Sequence, residues 1–234
     1  MHSKEEWQHH RPLASFGRRR GRTLRAGKQS LLDTLLPKLS VSDWGIAVDS
    51  DLTTNSQSPI PDQLWLEIGF GGGEHLVHQA ALYPKVGIIG CEPYINGIGD
   101  LLKKIDTQKL SNIRIFTDDA RLLIEKLPDA CLEKVFILYP DPWPKTRHHK
   151  RRLVSKETLD MLARVMKSRA ELRLATDHAD YATWMLERLL IHPSFSWQAK
   201  TANDWKNPPT DWITTRYEQK RLAGTPSYLN FIRN

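Results

Sequence analysis

Acids stand at the ends of four apolar runs in this chain. Glu67 is next to last in "LWLEI", Glu92 closes "VGIIGCE", Asp118 and Asp119 follow "NIRIF", and Asp141 follows "KVFILY" between Pro140 and Pro142. The turn after the first run reads "EIGFGGG", with Gly69, Gly71, Gly72 and Gly73. A dinucleotide fingerprint, G-x-G-x-x-G, would need a further glycine at position 74. Position 74 is Glu74, and an acid at a helix start opposes a pyrophosphate there. The pattern suits a ligand without phosphates, carrying a carboxylate and an amine beside a ribose. S-adenosylmethionine is such a ligand. Gly69 and Gly71 let backbone approach it closely. Glu67 can accept from its ammonium or anchor the turn from behind. Glu92 lies where an acid holds both ribose hydroxyls. Asp118 or Asp119 can receive the adenine amine; Asp119, deeper in the turn, is favoured.

The run "FILYPDPWPKTRHHKRR" adds a second chemistry. Pro140, Pro142 and Pro144 fix φ and remove backbone donors, so a stiff turn should hold Asp141 and Trp143 in a set pose. The alternative is a proline-rich surface loop. Beyond it, Lys145, Arg147, Lys150, Arg151 and Arg152, with His148 and His149, read as a phosphate-binding strip or as a solvated cationic face. Trp143 offers a stacking face for a base drawn out of its RNA stack, or packs internally.

Four strand-like runs alternate with helical stretches: "EHLVHQAALY", "INGIGDLLKKI" and "RLLIEKL". Strands apolar on both faces and alternating with helices predict βαβ units on a parallel sheet. Further on, "KETLDMLARVMK" reads as helix, "AELRLAT" as strand and "DYATWMLERLLI" as helix. "SWQAK", "TRYEQKRLAG" and "SYLNFIR" suggest closing strands around a short polar segment. The fold class expected is α/β: a Rossmann-like, doubly wound, mostly parallel sheet with a basic N-terminal extension. The acids then line the carboxyl edge of the sheet, where open α/β sheets bind ligands.

Ahead of this domain, Arg11 to Lys28 carries Arg18, Arg19, Arg20, Arg22 and Arg25 with no acid. It reads as a mobile arm, either a solvated tail or a strip that follows phosphates. "SLLDTLLPKL" predicts one or two helical turns stopped near Pro37, and Ser40 to Gln63 a polar loop. The boundary is placed between residues 1–63 and 64–234. A net charge of +7 suits a polyanionic partner, nucleic acid before an acidic membrane surface. No run is long and apolar enough for a membrane span, and the N-terminal stretch has no signal-like apolar segment. A cytoplasmic protein without metal is expected. Cys91 and Cys131, far apart, are expected to be buried thiols.

"EIGFGGG", "CEPY", "DDAR", "YPDPWPKTRHHKRR", "ATDHADY" and "TRYE" occur in an order that resembles the bacterial tRNA (guanine-N7-)-methyltransferases, within the class I methyltransferases. The resemblance runs from about Leu64 to the C-terminus; the proline–tryptophan run and "TRYE" are its most specific parts. It implies an S-adenosylmethionine-dependent methyltransferase domain over 64–234 that methylates N7 of guanine 46 in the tRNA variable loop. By position, Glu67, Glu92, Asp119 and Asp141 match the family's cofactor-contacting acids, and Asp141 its catalytic residue. Lys145, Asp177, Thr215, Arg216, Tyr217 and Glu218 match substrate-contacting positions. Arg147, Lys150, Arg151 and Arg152 are assigned to RNA. By residue type alone, Asp177 is equally a helix N-cap and "TTRYE" a surface turn.

The chemistry is consistent with that resemblance. N7 of guanine has a lone pair and no proton, so its methylation needs alignment and dehydration rather than a strong base. The product ring is cationic, which a nearby carboxylate favours. Three other readings remain: a methyltransferase for another RNA base, a non-catalytic RNA-binding protein on the same scaffold, and, last, a nicotinamide oxidoreductase. "DPW" resembles loosely the Asp-Pro-Pro-aromatic turn of amino methyltransferases, with Trp143 in place of the second proline. A monomer or homodimer fits equally.

Overall fold

The computed structural model describes residues 16–46, 60–220 and 223–234. Arg11 and most of the polar loop expected over Ser40 to Gln63 fall outside them. The alternating pattern from Leu64 onward forms as expected. Strand β1 (Leu64–Ile68) leads through helix α2 (Glu74–Leu82) to β2 (Gly87–Cys91), then α3 (Ile95–Gln108), β3 (Ile113–Phe116), α4 (Ala120–Lys126) and β4 (Leu132–Leu138). Helix α5 (Lys156–Val165), β5 (Met166–Thr176), α6 (Ala179–Ile191), β6 (Phe195–Trp197) and β7 (Ser227–Arg233) complete the sheet, with short helices α7 (Asn203–Lys206) and α8 (Arg216–Gln219) between β6 and β7. The strand order is β3-β2-β1-β4-β5-β7-β6. All pairs from β3 to β5 are parallel, and β7 runs antiparallel to both β5 and β6. The order reverses beside β1, so β1 and β4 diverge at their carboxyl ends and open a crevice there.

Helices cover both faces, and β1 shows how the sequence divides between them. Leu64, Leu66 and Ile68 join one core cluster with Leu123, Leu159 and Met185 of α4, α5 and α6. Trp65 joins the other, with Leu76 and Val77 of α2 and Leu101 and Leu102 of α3. Each buried Leu or Ile contributes roughly 1.5–3 kcal/mol. The period of two then puts Glu67 on the Trp65 side, facing α2. That placement governs its chemistry.

Two expectations need correction. "KETLDMLARVMK" is helical only to Val165. Met166 is drawn into β5 by pairing with Leu132 and is fully buried, so sheet packing overrides helix propensity. The short polar segment begins as a helical turn, where Thr215 caps α8, its Oγ1 accepting from the Glu218 amide at 3.3 Å. The described part of the basic arm is docked rather than free. Helix α1 (Ala26–Thr34) begins before the expected Ser30 and lies on α3, with Lys28 Nζ 2.6 Å from Asp100. It ends at Thr34, and Pro37, which lacks the amide N–H an α-helix would need there, sits in the first turn of a 3-10 segment over Leu36–Leu39. Beyond that turn, Val41, Trp44 and Ile46 are buried, and Ser40 bridges Ile115, covering the β3 edge. Cys91 is buried as expected; Cys131 is only partly so.

Candidate active site at the sheet crevice

The crevice holds a cavity of about 700 Å³. Its glycine turn is built for open space. Gly69 and Gly71 have φ of 76° and 54°, a region L side chains rarely adopt, and a Cβ on either would point into the cavity. Gly97 of α3 lets the turn pack close, since a Cβ there would sit 2.3 Å from the Gly71 carbonyl. Lys104 Nζ holds the Gly72 carbonyl at 2.6 Å and lies 3.3 Å from Glu74. Glu74 begins α2, so the helix N-terminus facing the cavity already carries an acid. These features fit a phosphate-free ligand such as S-adenosylmethionine.

The acids expected to line one edge do so. Glu67, Glu92, Asp118, Asp119 and Asp141 all face this cavity. Glu92 is buried, with one oxygen accepting from the Gly71 amide (2.7 Å) and the other from the Tyr94 amide (2.9 Å). Each oxygen keeps a lone pair for a hydroxyl. Burial pushes its carboxyl up; the two amides oppose this, and the charges of Asp141 and Glu67 add to it. Asp119 caps α4 and accepts from the Arg121 amide (3.0 Å), Nε (2.9 Å) and Nη2 (2.6 Å). Burial would raise its carboxyl, but Arg121 and the charge of Arg19 hold it below the usual range. Asp118 pairs with Arg19 at 2.6 Å.

The Asp141 turn is stiffer than its prolines alone require. Tyr139 and Trp143 both sit in left-handed conformations, φ 51° and 44°. Such residues persist only where packing over-determines them. Arg152 supplies that packing: its Nε donates to the Pro142 carbonyl at 2.9 Å, its Nη2 pairs with Asp180, and its guanidinium lies against Tyr181 and Trp184. Arg152 is 3% exposed. It clamps the turn from behind, and its assignment to RNA is corrected. Arg151 is also turned inward, its guanidinium 4.6 Å from the Phe16 ring centre and 4.9 Å from Trp143, at the cavity rim. Lys145, at the N-cap of the 3-10 segment Thr146–Arg151, and Arg147 and Lys150 within it remain exposed. Desolvation, then Arg151, Arg147, Lys145 and Lys150, lowers the His148 imidazole, a mark of the local positive field.

Of the "TTRYE" group, Thr215 and Tyr217 line the cavity and Arg216 is exposed. Burial, then the charges of Asp177 and Asp141, raises the Tyr217 phenol. Glu218 does not belong with them. It is buried outside the cavity lining, accepting from Tyr228 Oη (2.5 Å) and Trp212 Nε1 (3.0 Å). Asp177 is likewise buried and accepts from the Ala223 amide at 3.2 Å. The α6 N-cap position falls to His178 instead.

Sequence reasoning missed two participants. His75 lies 2.8 Å from Glu67 Oε2. Its motif neighbours gave no warning, because the contact depends on how α2 packs over β1. The described end of the arm, from Phe16 to Arg18, forms part of the cavity wall, and the residues after it are tied to α3. The Arg19 carbonyl accepts from the Ile95 amide (3.0 Å), and Gly21 and Arg22 bond Asn96. A lone Phe16 among arginines was the available signal.

Among the described residues, no cluster of His, Cys, Asp and Glu could hold a metal ion, and no helix is long and apolar enough to cross a membrane. The family model described as "Putative methyltransferase" matches residues 61–227. The tRNA (guanine-N(7)-)-methyltransferase of Rhodospirillum rubrum is 48% identical over 221 residues, 93% of this chain and 87% of that protein. The protein of that name from Caulobacter vibrioides NA1000 is 48% identical over 227 residues, 97% of each. Among solved structures, TrmN from Thermus thermophilus aligns with a TM-score of 0.52 at 14% identity, over 74% of this chain and 45% of that one. A precorrin-6y C5,15-methyltransferase from Geobacter metallireducens aligns at 0.50 and 18%, over 74% and 80%. Those two share the fold.

Proposed function

The chain belongs to the tRNA (guanine-N(7)-)-methyltransferase family, and from that premise we propose how its own residues carry the reaction. It transfers a methyl group from S-adenosylmethionine to N7 of a guanine in tRNA. The guanine is the one at position 46 of the variable loop, as the sequence resemblance implies. One observation carries the residue roles: acids from the ends of β1 to β4 converge on a single cavity, beside a turn braced by Arg152.

S-adenosylmethionine supplies an electrophilic sulfonium methyl when bound. Gly69 and Gly71 give its amino-acid end access to backbone, and Glu67 accepts from its ammonium. Glu92 accepts from the ribose hydroxyls. Asp119 has three of its four lone-pair sites taken by Arg121 and keeps one for the adenine amine. Asp141 accepts from N1–H and the exocyclic amine of the guanine and stabilises the cation formed at the ring. It removes no proton, because N7 carries none. Trp143 presents its face to the base, with Thr215 and Tyr217 across the cavity mouth. Lys145, Arg147 and Lys150 hold the RNA backbone, and Arg216 extends that surface. Residues 64–234 form the methyltransferase domain, with Phe16 to Arg18 at the cavity wall and α1 packed on α3. The site is expected to work in the cytoplasm, where tRNA is processed.

The test is an incubation with methyl-labelled S-adenosylmethionine and unmodified tRNA transcripts, followed by nucleoside analysis. The expected result is label in 7-methylguanosine, lost when guanine 46 is replaced. Label retained in that transcript would move the target within the tRNA.

A further inference from the structure

Glu67 is an awkward residue for a binding role. Its side chain is 3% exposed, and its charge acts on Glu92, which the charge of Asp141 also raises. A carboxylate sunk this deeply beside other acids needs a donor to keep its orientation. His75, the second residue of α2, supplies one: Nδ1 lies 2.8 Å from Glu67 Oε2, and the imidazole is 1% exposed. The ring is fixed by its surroundings, 4.7 Å centre to centre from Phe136 at 68° and 5.4 Å from Trp212. Its Nε2 is buried and has no hydrogen-bond partner among the described residues.

We propose that His75 is a positioning residue for the methyl donor. Its Nδ1–H holds Glu67 Oε2 and leaves the other carboxylate oxygen directed to the methionine ammonium. Among the described residues Nε2 meets no acceptor, so the ring hydrogen-bonds through Nδ1. In that tautomer the imidazole is a neutral donor. It orients the carboxylate without cancelling the charge the ammonium requires. A lysine or arginine in the same place would form a closed ion pair with Glu67 and compete with the ligand. The inference rests on the reading that Glu67 accepts from the ammonium.

The test compares two ligands by calorimetry. S-adenosylhomocysteine carries the amino-acid end, and 5′-methylthioadenosine lacks it. Glu67→Gln should weaken the first about tenfold or more, the scale of a hydrogen bond to a charged group, and leave the second unchanged. His75→Leu should reproduce that selective loss. His75→Asn, whose amide can stand near the Nδ1 position, should restore most of the affinity, and His75→Gln, whose amide reaches toward Nε2, should not. In the wild-type protein, nitrogen-15 spectra should show the Nδ1–H tautomer, a readout that needs no variant. An Nε2–H tautomer would overturn the proposal. So would equal losses for both ligands in His75→Leu, or no loss in His75→Leu while Glu67→Gln remains selective. Equal losses in Glu67→Gln would instead overturn the ammonium reading of Glu67, and the proposal with it.

Discussion

Lys145 and Arg152 bound one cationic run, and the fold sends them in opposite directions. Lys145 stays exposed beside the cavity. Arg152 is buried, spans from the Pro142 carbonyl to Asp180, and braces the turn that carries Asp141. A similar division separates two acids. Glu92 and Glu218 each accept one bond on each oxygen, from backbone amides and from Trp212 and Tyr228 respectively, but Glu92 lines the cavity and Glu218 is not among its lining residues. Residue type fixes what a group can bond. The neighbouring helix decides whether a ligand or the protein receives that bond.

The sharpest way to break the comparison is to remove the clamp. Arg152→Met should lower stability by about 1–3 kcal/mol, since it strands the Pro142 carbonyl and loses the pairing with Asp180. Turnover should fall more than tenfold as the turn loosens. Thermal unfolding and steady-state rates check both, and an unchanged Tm with only weaker tRNA binding would return Arg152 to the RNA surface. Glu218→Ala should cost about 1–3 kcal/mol by leaving the Tyr228 hydroxyl and the Trp212 indole without their acceptor. Cofactor affinity should stay within about threefold, because Glu218 does not face the cavity. Calorimetry separates the two outcomes.

The exposed side of the comparison predicts a different signature. Replacing Lys145, Arg147 and Lys150 together by Ala should leave Tm unchanged and reduce the slope of log K against log salt by about 2 to 3, one counterion release for each cation lost. An unchanged slope for tRNA would make this face merely solvated. The smallest effect concerns acid. Asp119 is held below its ordinary range by Arg121, so its stabilisation is complete above the unfolded carboxyl value near pH 4 and is lost as pH falls through the lower folded value. Arg121→Met should therefore flatten the decline in Tm between about pH 4 and pH 2 relative to wild type. An identical decline would show that the Asp119–Arg121 pair does not set acid stability.

Much of the frame was legible because periodicity and punctuation agree. Each acid stands at the end of an apolar run, and parallel strands deliver their carboxyl ends to one edge, so Glu67, Glu92, Asp119 and Asp141 could be placed together before any coordinates. Arg152, Asp177 and Glu218 turn inward, which their motif positions do not reveal, because motif position fixes the local chain and not the direction of burial. Their partners, Asp180, Ala223 and Tyr228, come from other elements. His75 and Phe16 were missed for the same reason. Residues from Phe16 to Lys28 read as a free arm because arginines dominate them, while the contacts that dock them are backbone bonds to α3 and the pairs Arg19–Asp118 and Lys28–Asp100.

The central claim is that Asp141 acts on the target base and the cation it becomes, and not chiefly on the methyl donor. The most direct measurement is single-turnover methylation by Asp141→Asn on a tRNA transcript, paired with S-adenosylhomocysteine affinity by calorimetry. The account predicts that the methylation rate falls by roughly a hundredfold or more while affinity changes less than about fivefold. A near-normal rate, or a fall in rate matched by the loss of affinity, would contradict it.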